Sequence, residues 1–441
     1  MTKKVFVCGG AGYIGSHIVK EFTRLHNYQV IIVDNFSKGH KESIPKNVTV
    51  EEGDIRDKNF LDAAFSKHKP DAVMHLCASI VVPESVADPL SYYENNVSGT
   101  ITLLQAMNKH SVKYFIFSST AALFGLPEVI PIKENDVKNP INPYGDTKLA
   151  CETMLKWCDE AYGMKYVCLR YFNACGADAD GDIGEDHTPE THLIPLVLEV
   201  PLGKKDKCFI YGEDYDTPDR TCIRDYIHVT DLATAHIKAL EYLMKENVSN
   251  NFNLGSGRGF SVKEVVEACR KVTGHPIPVE LHDRRAGDPA ILIAASEKCE
   301  QVLQWERKYK TIESTQSNSV NGPGRFPVSQ DRVNQVLQMF PNFSSQAIEL
   351  DLSRTGSVEL TIDNIINGRI RATAPQFFTT TASNNNNNTS ISQNKASSPL
   401  LEKIDFNSLP STEPEKVWES TAKEREDKLK QRKLFMLKQQ R

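Results

Sequence analysis

Three side chains in this sequence have the types and spacing needed to move a proton at a carbon that also loses hydride. Tyr144 and Lys148 stand four apart in Pro143-Tyr-Gly-Asp-Thr-Lys148, so a helix places them one above the other on a single face. A phenol ordinarily ionises near pH ~10. An ammonium held a few ångströms away favours the phenolate and lowers that value, which would make Tyr144 an acid/base near neutrality. Of the 14 tyrosines, Tyr144 alone has a lysine at i+4. Thr120 follows the apolar run Tyr114-Phe-Ile-Phe-Ser118, read as a buried strand, at whose end its hydroxyl would share a proton with Tyr144.

Upstream, the chain reads as a dinucleotide site. Lys4-Val-Phe-Val-Cys8 has the pattern of a buried parallel strand. It runs into Gly9-Gly-Ala-Gly12-Tyr-Ile-Gly15 and a helical pattern carrying Ile18, Val19 and Phe22. Glycines at such a turn let the backbone approach a pyrophosphate seated on the N-terminus of the helix. A second run, Gln29-Val-Ile-Ile-Val-Asp34, ends in a carboxylate 19 residues after Gly15. That is where an acid grips a ribose 2′-hydroxyl, so NAD is expected rather than NADP.

The elements that must position these groups alternate short apolar runs with helical patterns over residues 1–172. Besides those named, Ala72-Val-Met-His-Leu76 and Tyr166-Val-Cys-Leu-Arg170 read as strands. The pattern predicts an α/β fold, a Rossmann-type doubly wound parallel sheet with helices on both faces and the cofactor across the carboxyl ends of the strands. Residues 173–312 are rich in Gly, Asp and Pro and read as a smaller α/β substrate domain, with segments returning to the first.

At 441 residues the chain is expected to hold two or three domains, and its net charge of −5 argues against nucleic acid as a partner. The ten cysteines include no C-x-x-C pair and the 12 histidines no H-x-x-x-H pair. Reduced thiols are expected, without a disulfide framework or a metal. There is no charged-then-apolar leader and no apolar run approaching ~18 residues, so a soluble cytoplasmic protein without a membrane span is expected.

Together, Gly9 to Gly15, Asp34, Gly53-Asp-Ile55, Thr120, Tyr144-x-x-x-Lys148 and Leu169-Arg-Tyr-Phe-Asn173 resemble the extended short-chain dehydrogenase/reductases. Glu84-Ser-Val, Tyr92-Tyr-Glu-Asn-Asn-Val97, Arg224-Asp-Tyr-Ile-His228-Val-Thr-Asp-Leu232 and Asn253-Leu-Gly-Ser-Gly257 narrow the resemblance to the UDP-glucose 4-epimerase family over about residues 3–312. That resemblance implies tightly bound NAD. Gly9, Gly12, Tyr13, Ile14 and Gly15 would meet its pyrophosphate, with Asp34 and Asn35 at the next strand end and Asp54 and Ile55 at the adenine. Leu76, Ala78 and Ile80 would line its nicotinamide half, approached also by Asn95, Phe172, Tyr144 and Lys148. Some members of the family carry a lysine where Ile80 stands.

The resemblance places UDP-sugar against Thr120, Tyr144, Asn173, His192, Leu193, Phe209, Arg224, Arg285 and Asp288. Arg224 and Arg285 suit a diphosphate, which calls for bidentate cations. By analogy Tyr144 takes the proton of the sugar 4-hydroxyl while hydride passes from C4 to NAD, and the 4-keto sugar turns before hydride returns to its other face. Related dehydratases and decarboxylases have an acid after the Thr120 position. Ala121 and Ala122 stand here instead, which favours epimerisation. Leu292 lies near where the family selects by bulk between plain and N-acetylated hexoses, so a UDP-hexose is expected, with a UDP-N-acetylhexosamine or UDP-pentose as alternatives. A homodimer is also expected.

The resemblance stops near Ile312, short of the family's last helix, and a polar linker follows over 313–330. Val333, Val336, Leu337 and Phe340 then recur at helical spacing, Ser344 can cap a second helix, and Gly356 to Ile366 reads as a third. Residues 331–371 resemble a CUE domain, a ubiquitin-binding three-helix module. Met339-Phe340-Pro341 matches its signature tripeptide, and Ile365-Ile366 stands where a dileucine is frequent. These five residues are the expected ubiquitin contacts; alternatively they fill the module's core. Residues 372–415 are low-complexity and expected to be disordered. Residues 416–441 read as a charged helix, either solvated or bound to a ubiquitin-conjugating enzyme. The competing function is a ubiquitin adaptor carrying an inactive epimerase scaffold.

Overall fold

The structure, a computed structural model, describes residues 2–25, 27–285, 288–310, 330–340, 343–355 and 358–366. The low-complexity stretch, the charged C-terminal helix and all but the last residue of the linker lie outside the described residues. Thirteen strands are described: β1 (Lys3–Cys8), β2 (Tyr28–Asp34), β3 (Thr49–Glu52), β4 (Ala72–His75), β5 (Tyr114–Thr120), β6 (Lys165–Tyr171), β7 (Asn173–Cys175), β8 (Cys208–Tyr211), β9 (Ile223–His228), β10 (Asn250–Leu254), β11 (Gly259–Ser261), β12 (Val279–His282) and β13 (Ile291–Leu292).

Seven of them form one parallel sheet in the order β10-β6-β5-β4-β1-β2-β3. Successive residues of β1 serve opposite faces, as a strand period of two requires. Val5 and Val7 join Ile18, Phe22, Ile116, Leu232 and Leu240 in one core. Phe6 and Cys8 join Leu61, Phe65, Leu103, Phe115 and Phe117 in the other. Burial on both faces is why the central strands read as unbroken apolar runs. Strand order reverses between β1 and β4, where Cys8 pairs with His75. A doubly wound sheet opens its ligand crevice at this reversal.

Two edge strands carry no such run. Strand β3 reads Thr-Val-Glu-Glu, and β10 reads Asn-Asn-Phe-Asn-Leu, drawn from the far side of the substrate region to pair with β6. The smaller part centres on β9, paired with β7, β11 and β13, and on the β8–β12 pair. Its core gathers Val197, Tyr226, Phe260, Val265 and Ile277. The chain is then sewn back onto the larger part: Trp305 Nε1 donates to Thr234 Oγ1 at 3.1 Å, and the amides of Lys308 and Tyr309 donate to Asp231 at 2.9 and 3.0 Å.

Three further helices, Gln330–Met339, Ser345–Thr355 and Val358–Ile366, enclose Val333, Val336, Ile348, Leu352 and Ile365. Ser344 Oγ accepts from Ala347 N at 3.1 Å, the expected cap. Among the described residues, no helix is long and apolar enough to cross a membrane.

Candidate active site

The glycine turn follows β1 at the sheet's reversal. Gly9 has φ +82°, and a Cβ there would lie 2.7 Å from the Leu76 carbonyl carbon; a Cβ on Gly15 would lie 2.0 Å from Gly9 O. Neither position admits a side chain. Gly12 differs: the only atom a Cβ would meet within 4 Å is Gly9 O, at 3.5 Å. That space is left for something other than this chain. Gly12 also begins the Tyr13–Thr23 helix, which has no side-chain cap. An uncapped helix N-terminus beside open space fits a pyrophosphate.

Asp34, buried at the end of β2, accepts from Ala11 N and from Phe36 N, both at 2.9 Å. It braces the glycine turn while lone pairs remain for a ribose hydroxyl. Asn35 Nδ2 donates to Asp54 Oδ2 at 2.9 Å, and Arg56 together with Asn35 holds the Asp54 carboxyl down to about 2. Ile55 is buried beneath it, whereas Ile80 is 41% exposed. Leu76, Ala78 and Phe172 are half-buried at the strand ends.

The catalytic candidates converge on β5. Thr120 ends that strand, and Tyr144 and Lys148 lie on the Pro143–Tyr162 helix, opened by Pro143 and capped by Asn142 Oδ1 on Gly145 N at 2.8 Å. Tyr144 is 8% exposed and Lys148 3%. Thr120 and Tyr144 are both buried, and the Thr120 hydroxyl is the neighbour that draws the Tyr144 phenol down.

The electrostatic expectation for the pair requires correction. Lys148 Nζ donates to Ser118 O at 2.8 Å and stands 4.8 Å over the Phe117 ring. Burial pushes Tyr144 up to about 12, with only the Thr120 hydrogen bond opposing it, and burial pushes Lys148 down to about 8. In this protein the phenol is therefore raised, not lowered. Desolvation dominates, and the Lys148 ammonium is turned toward the strand, onto Ser118 O.

Two supports of this site were not singled out from sequence. Asn96, buried in the turn Tyr93–Ser98, accepts from Ser79 N at 2.8 Å and donates to Ser79 O and Thr147 Oγ1 at 3.0 and 3.1 Å. It ties the loop after β4 to the catalytic helix, and Asn95 Nδ2 donates to it at 3.1 Å. Glu152 accepts two bonds from Arg170, at 2.9 and 2.6 Å, and one from Ser119 Oγ at 2.6 Å. This buried fork joins β5, β6 and the catalytic helix. The visible signal was Arg170 inside the apolar run of β6.

On the opposite side, Arg224 Nη2 lies 3.5 Å from Asp288 Oδ1, and Arg285 Nε lies 3.0 Å from Asp288 Oδ2. Two guanidiniums thus share one carboxylate. Phe209 is partly exposed and meets the His282 ring edge-on at 4.9 Å, while Arg285 stands 5.2 Å over Tyr211. Asn173 opens β7, and Leu193 opens the helix Leu193–Leu198 and packs on the smaller core.

His192, expected at the UDP-sugar, stands beside two carboxylates and a second imidazole. Its Nδ1 lies 2.9 Å from Glu185 Oε1 and 3.0 Å from Glu190 Oε1, and His187 Nδ1 lies 3.4 Å from Glu185 Oε1 and 3.7 Å from Glu190 Oε2. The two carboxylates hold His187 up to about 9 and, against burial, His192 up to about 10. No grouping of metal-ligand type was expected from the sequence, because only H-x-x-x-H and C-x-x-C were sought. The structure gathers an E-x-H-x-x-E-x-H segment whose four ligand atoms lie within 4.8 Å of one another.

In the three-helix module, Met339 and Phe340 are half-buried and Phe340 packs against the core, while Ile365 is part of that core. Pro341 and the Ile366 side chain lie outside the described residues. The alternative expectation, that these residues fill the core, describes Ile365.

A family model described as the NAD dependent epimerase/dehydratase family matches residues 5–255, and a CUE domain model matches residues 330–369. The chain belongs to the NAD dependent epimerase/dehydratase family. Within it, the chain is 57% identical over 317 residues to a UDP-glucose 4-epimerase of Halalkalibacterium halodurans, covering 72% of this chain and 94% of that one. The solved UDP-glucose 4-epimerase of Brucella ovis in complex with NAD matches with TM-score 0.69 and 46% identity, over 71% of this chain and 96% of that one. The Bifidobacterium longum enzyme in complex with NAD+ and UDP matches with TM-score 0.70 and 39% identity, over 74% and 99%. This epimerase-family part thus spans nearly the whole of these relatives.

Proposed function

We propose that this chain interconverts UDP-galactose and UDP-glucose by epimerisation at C4, with NAD retained through turnover, and that its CUE domain binds ubiquitin. The observation carrying the first part is the burial of Thr120, Tyr144 and Lys148 at the end of β5, one strand away from the Gly9 crevice. NAD, when bound, supplies the hydride acceptor and a positive ring. The residues supply the rest. With that positive ring beside it, the phenol raised by burial would be drawn back toward phenolate, and Tyr144 would then accept the 4-hydroxyl proton and give it back; Thr120 holds the 4-oxygen and orients the phenol. Lys148 adds a cation on the same helix face, with Nζ fixed by Ser118 O. Arg224 and Arg285 exchange Asp288 for the diphosphate. Ala121 and Ala122 offer no acid for elimination.

The relatives' names and the fit of the crevice support this reading. A coupled assay of the full-length protein on UDP-galactose tests it, with Tyr144→Phe as control. Conversion that the variant loses is the expected result. A folded, NAD-loaded protein that converts nothing would favour the adaptor reading instead. The same assay on UDP-N-acetylgalactosamine and a UDP-pentose ranks the sugars.

The proposed assembly is a homodimer, supported by exposed apolar side chains on adjoining helices: Leu90 is 78% exposed, with Val86 and Trp157 likewise open. A light-scattering mass equal to one chain would refute it. The basic segment from Lys428 is the proposed contact for a ubiquitin-conjugating enzyme, tested by pull-down with and without residues 416–441. The proposed compartment is the cytoplasm, tested by fractionation.

A further inference from the structure

We propose that Glu185, His187, Glu190 and His192 form a closed, structural site for a divalent ion of the Zn(II) class. A tetrahedral zinc with N and O ligands at about 2.0–2.1 Å sets neighbouring donors about 3.3 Å apart. The imidazole–carboxylate separations here are 2.9 and 3.4 Å to Glu185 Oε1, with 3.0 Å to Glu190 Oε1 and 3.7 Å to Glu190 Oε2, and one ligand atom from each residue lies within 4.8 Å of the others. Two imidazoles and two carboxylates make a charge-balanced set for a +2 ion and a borderline N/O environment.

The hydrogen-bond pattern favours an ion over paired side chains. Glu185 has a side chain only 7% exposed, yet its Oε1 receives no hydrogen bond although His192 Nδ1 is 2.9 Å away; His187 Nδ1 is likewise buried without one. Among these four side chains the imidazole–carboxylate hydrogen bond is His192 Nδ1 to Glu190 Oε1 at 3.0 Å, which leaves Glu185 Oε1 and His187 Nδ1 close to oppositely charged neighbours but without one. Glu190 is oriented from outside, its Oε1 accepting the amides of Thr191 and His192 at 2.7 and 2.8 Å, as supported ligands are.

The position gives the ion a task. His187 meets the Tyr13 ring edge-on at 6.1 Å, Lys38 Nζ donates to Thr188 O at 3.1 Å, and His40 Nε2 lies 3.1 Å from Asp186 O. An ion here would pin the 185–192 loop over the glycine turn and the loop after β2. With all four positions filled by protein, it would stabilise without touching substrate.

The test uses the full-length protein without a polyhistidine tag, stripped with EDTA and titrated with Zn(II) against a chromophoric chelator. Glu185→Gln and His187→Gln are titrated in parallel. One zinc per chain is expected, weakened at least about tenfold in each variant. Cobalt(II) in the stripped protein should give the visible bands of a tetrahedral N/O site without a near-ultraviolet thiolate band. No stoichiometric uptake, uptake unchanged in both variants, or a thiolate band from the ten cysteines would overturn the proposal. The cobalt spectrum needs no variant, so it decides the matter even if a substitution unfolds the loop.

Discussion

Lys148 is a cation that the fold would rather not hold. Burial pushes it down to about 8 from an ordinary value near ~10.4, so between those pH values the unfolded chain binds the proton that the folded chain has lost. Stability from this group therefore rises with pH across that window, and below pH ~8 the buried charge is a cost. Lys148→Met should abolish epimerase activity while raising the melting temperature at pH 7. That gain should shrink as pH climbs from 8 toward 10, as differential scanning fluorimetry of both proteins would reveal. Tyr144 has the opposite sign. Its pKa is raised to about 12, so its contribution is present below pH ~10 and is lost above it. Tyr144→Phe should lower kcat by about 10² to 10⁴ with little change in fold, read by the coupled assay alongside circular dichroism.

At the scale of elements, the catalytic helix is held by polar ties as well as by its apolar stripe. Removing one partner of a buried ion pair costs about 3–5 kcal/mol because the other charge is stranded. Glu152→Gln should lose stability of that order in urea unfolding, since Arg170 is almost fully enclosed. Asn96→Ala, which leaves the Ser79 amide without its acceptor, should cost about 1–3 kcal/mol and loosen NAD, measured as cofactor lost on gel filtration. Neither tie was read from the sequence. Strands β1, β2, β4, β5 and β6 were legible because both their faces are buried and their apolar runs are continuous. Edge strands β3 and β10, with Thr, Glu and Asn, gave no such run. Likewise, the i+4 spacing located Tyr144 and Lys148 correctly, but spacing cannot say which way an ammonium turns. Burial decided that, and burial belongs to the assembled sheet.

At the scale of the whole molecule, two activities share a chain whose parts differ greatly in core size. The epimerase-family part has two extensive cores around one sheet, while among the described residues the CUE domain core gathers Val333, Val336, Ile348, Leu352 and Ile365, with Leu337, Phe340, Phe343 and Val358 packed on it. A core that small is marginal. Ile365→Ala should therefore cost about 2–5 kcal/mol and abolish ubiquitin binding by unfolding the module. Met339→Ala should weaken binding with the module still folded. Ubiquitin titrations followed by heteronuclear NMR separate the two, since only the first loses its dispersed spectrum.

The pairing of β10 with β6 also sets a timetable for synthesis. Strand β6 ends at Tyr171, but its outer neighbour ends at Leu254, so 83 residues must be made before the sheet is complete. At roughly 5–20 residues per second, β6 waits about 4 to 17 seconds on the ribosome with a row of open amides and carbonyls along one side. Such an edge templates wrong partners. The nascent chain's window for misassembly is therefore longest just where the cofactor half seems finished, and a chain cut after residue 172 would remain in that window permanently.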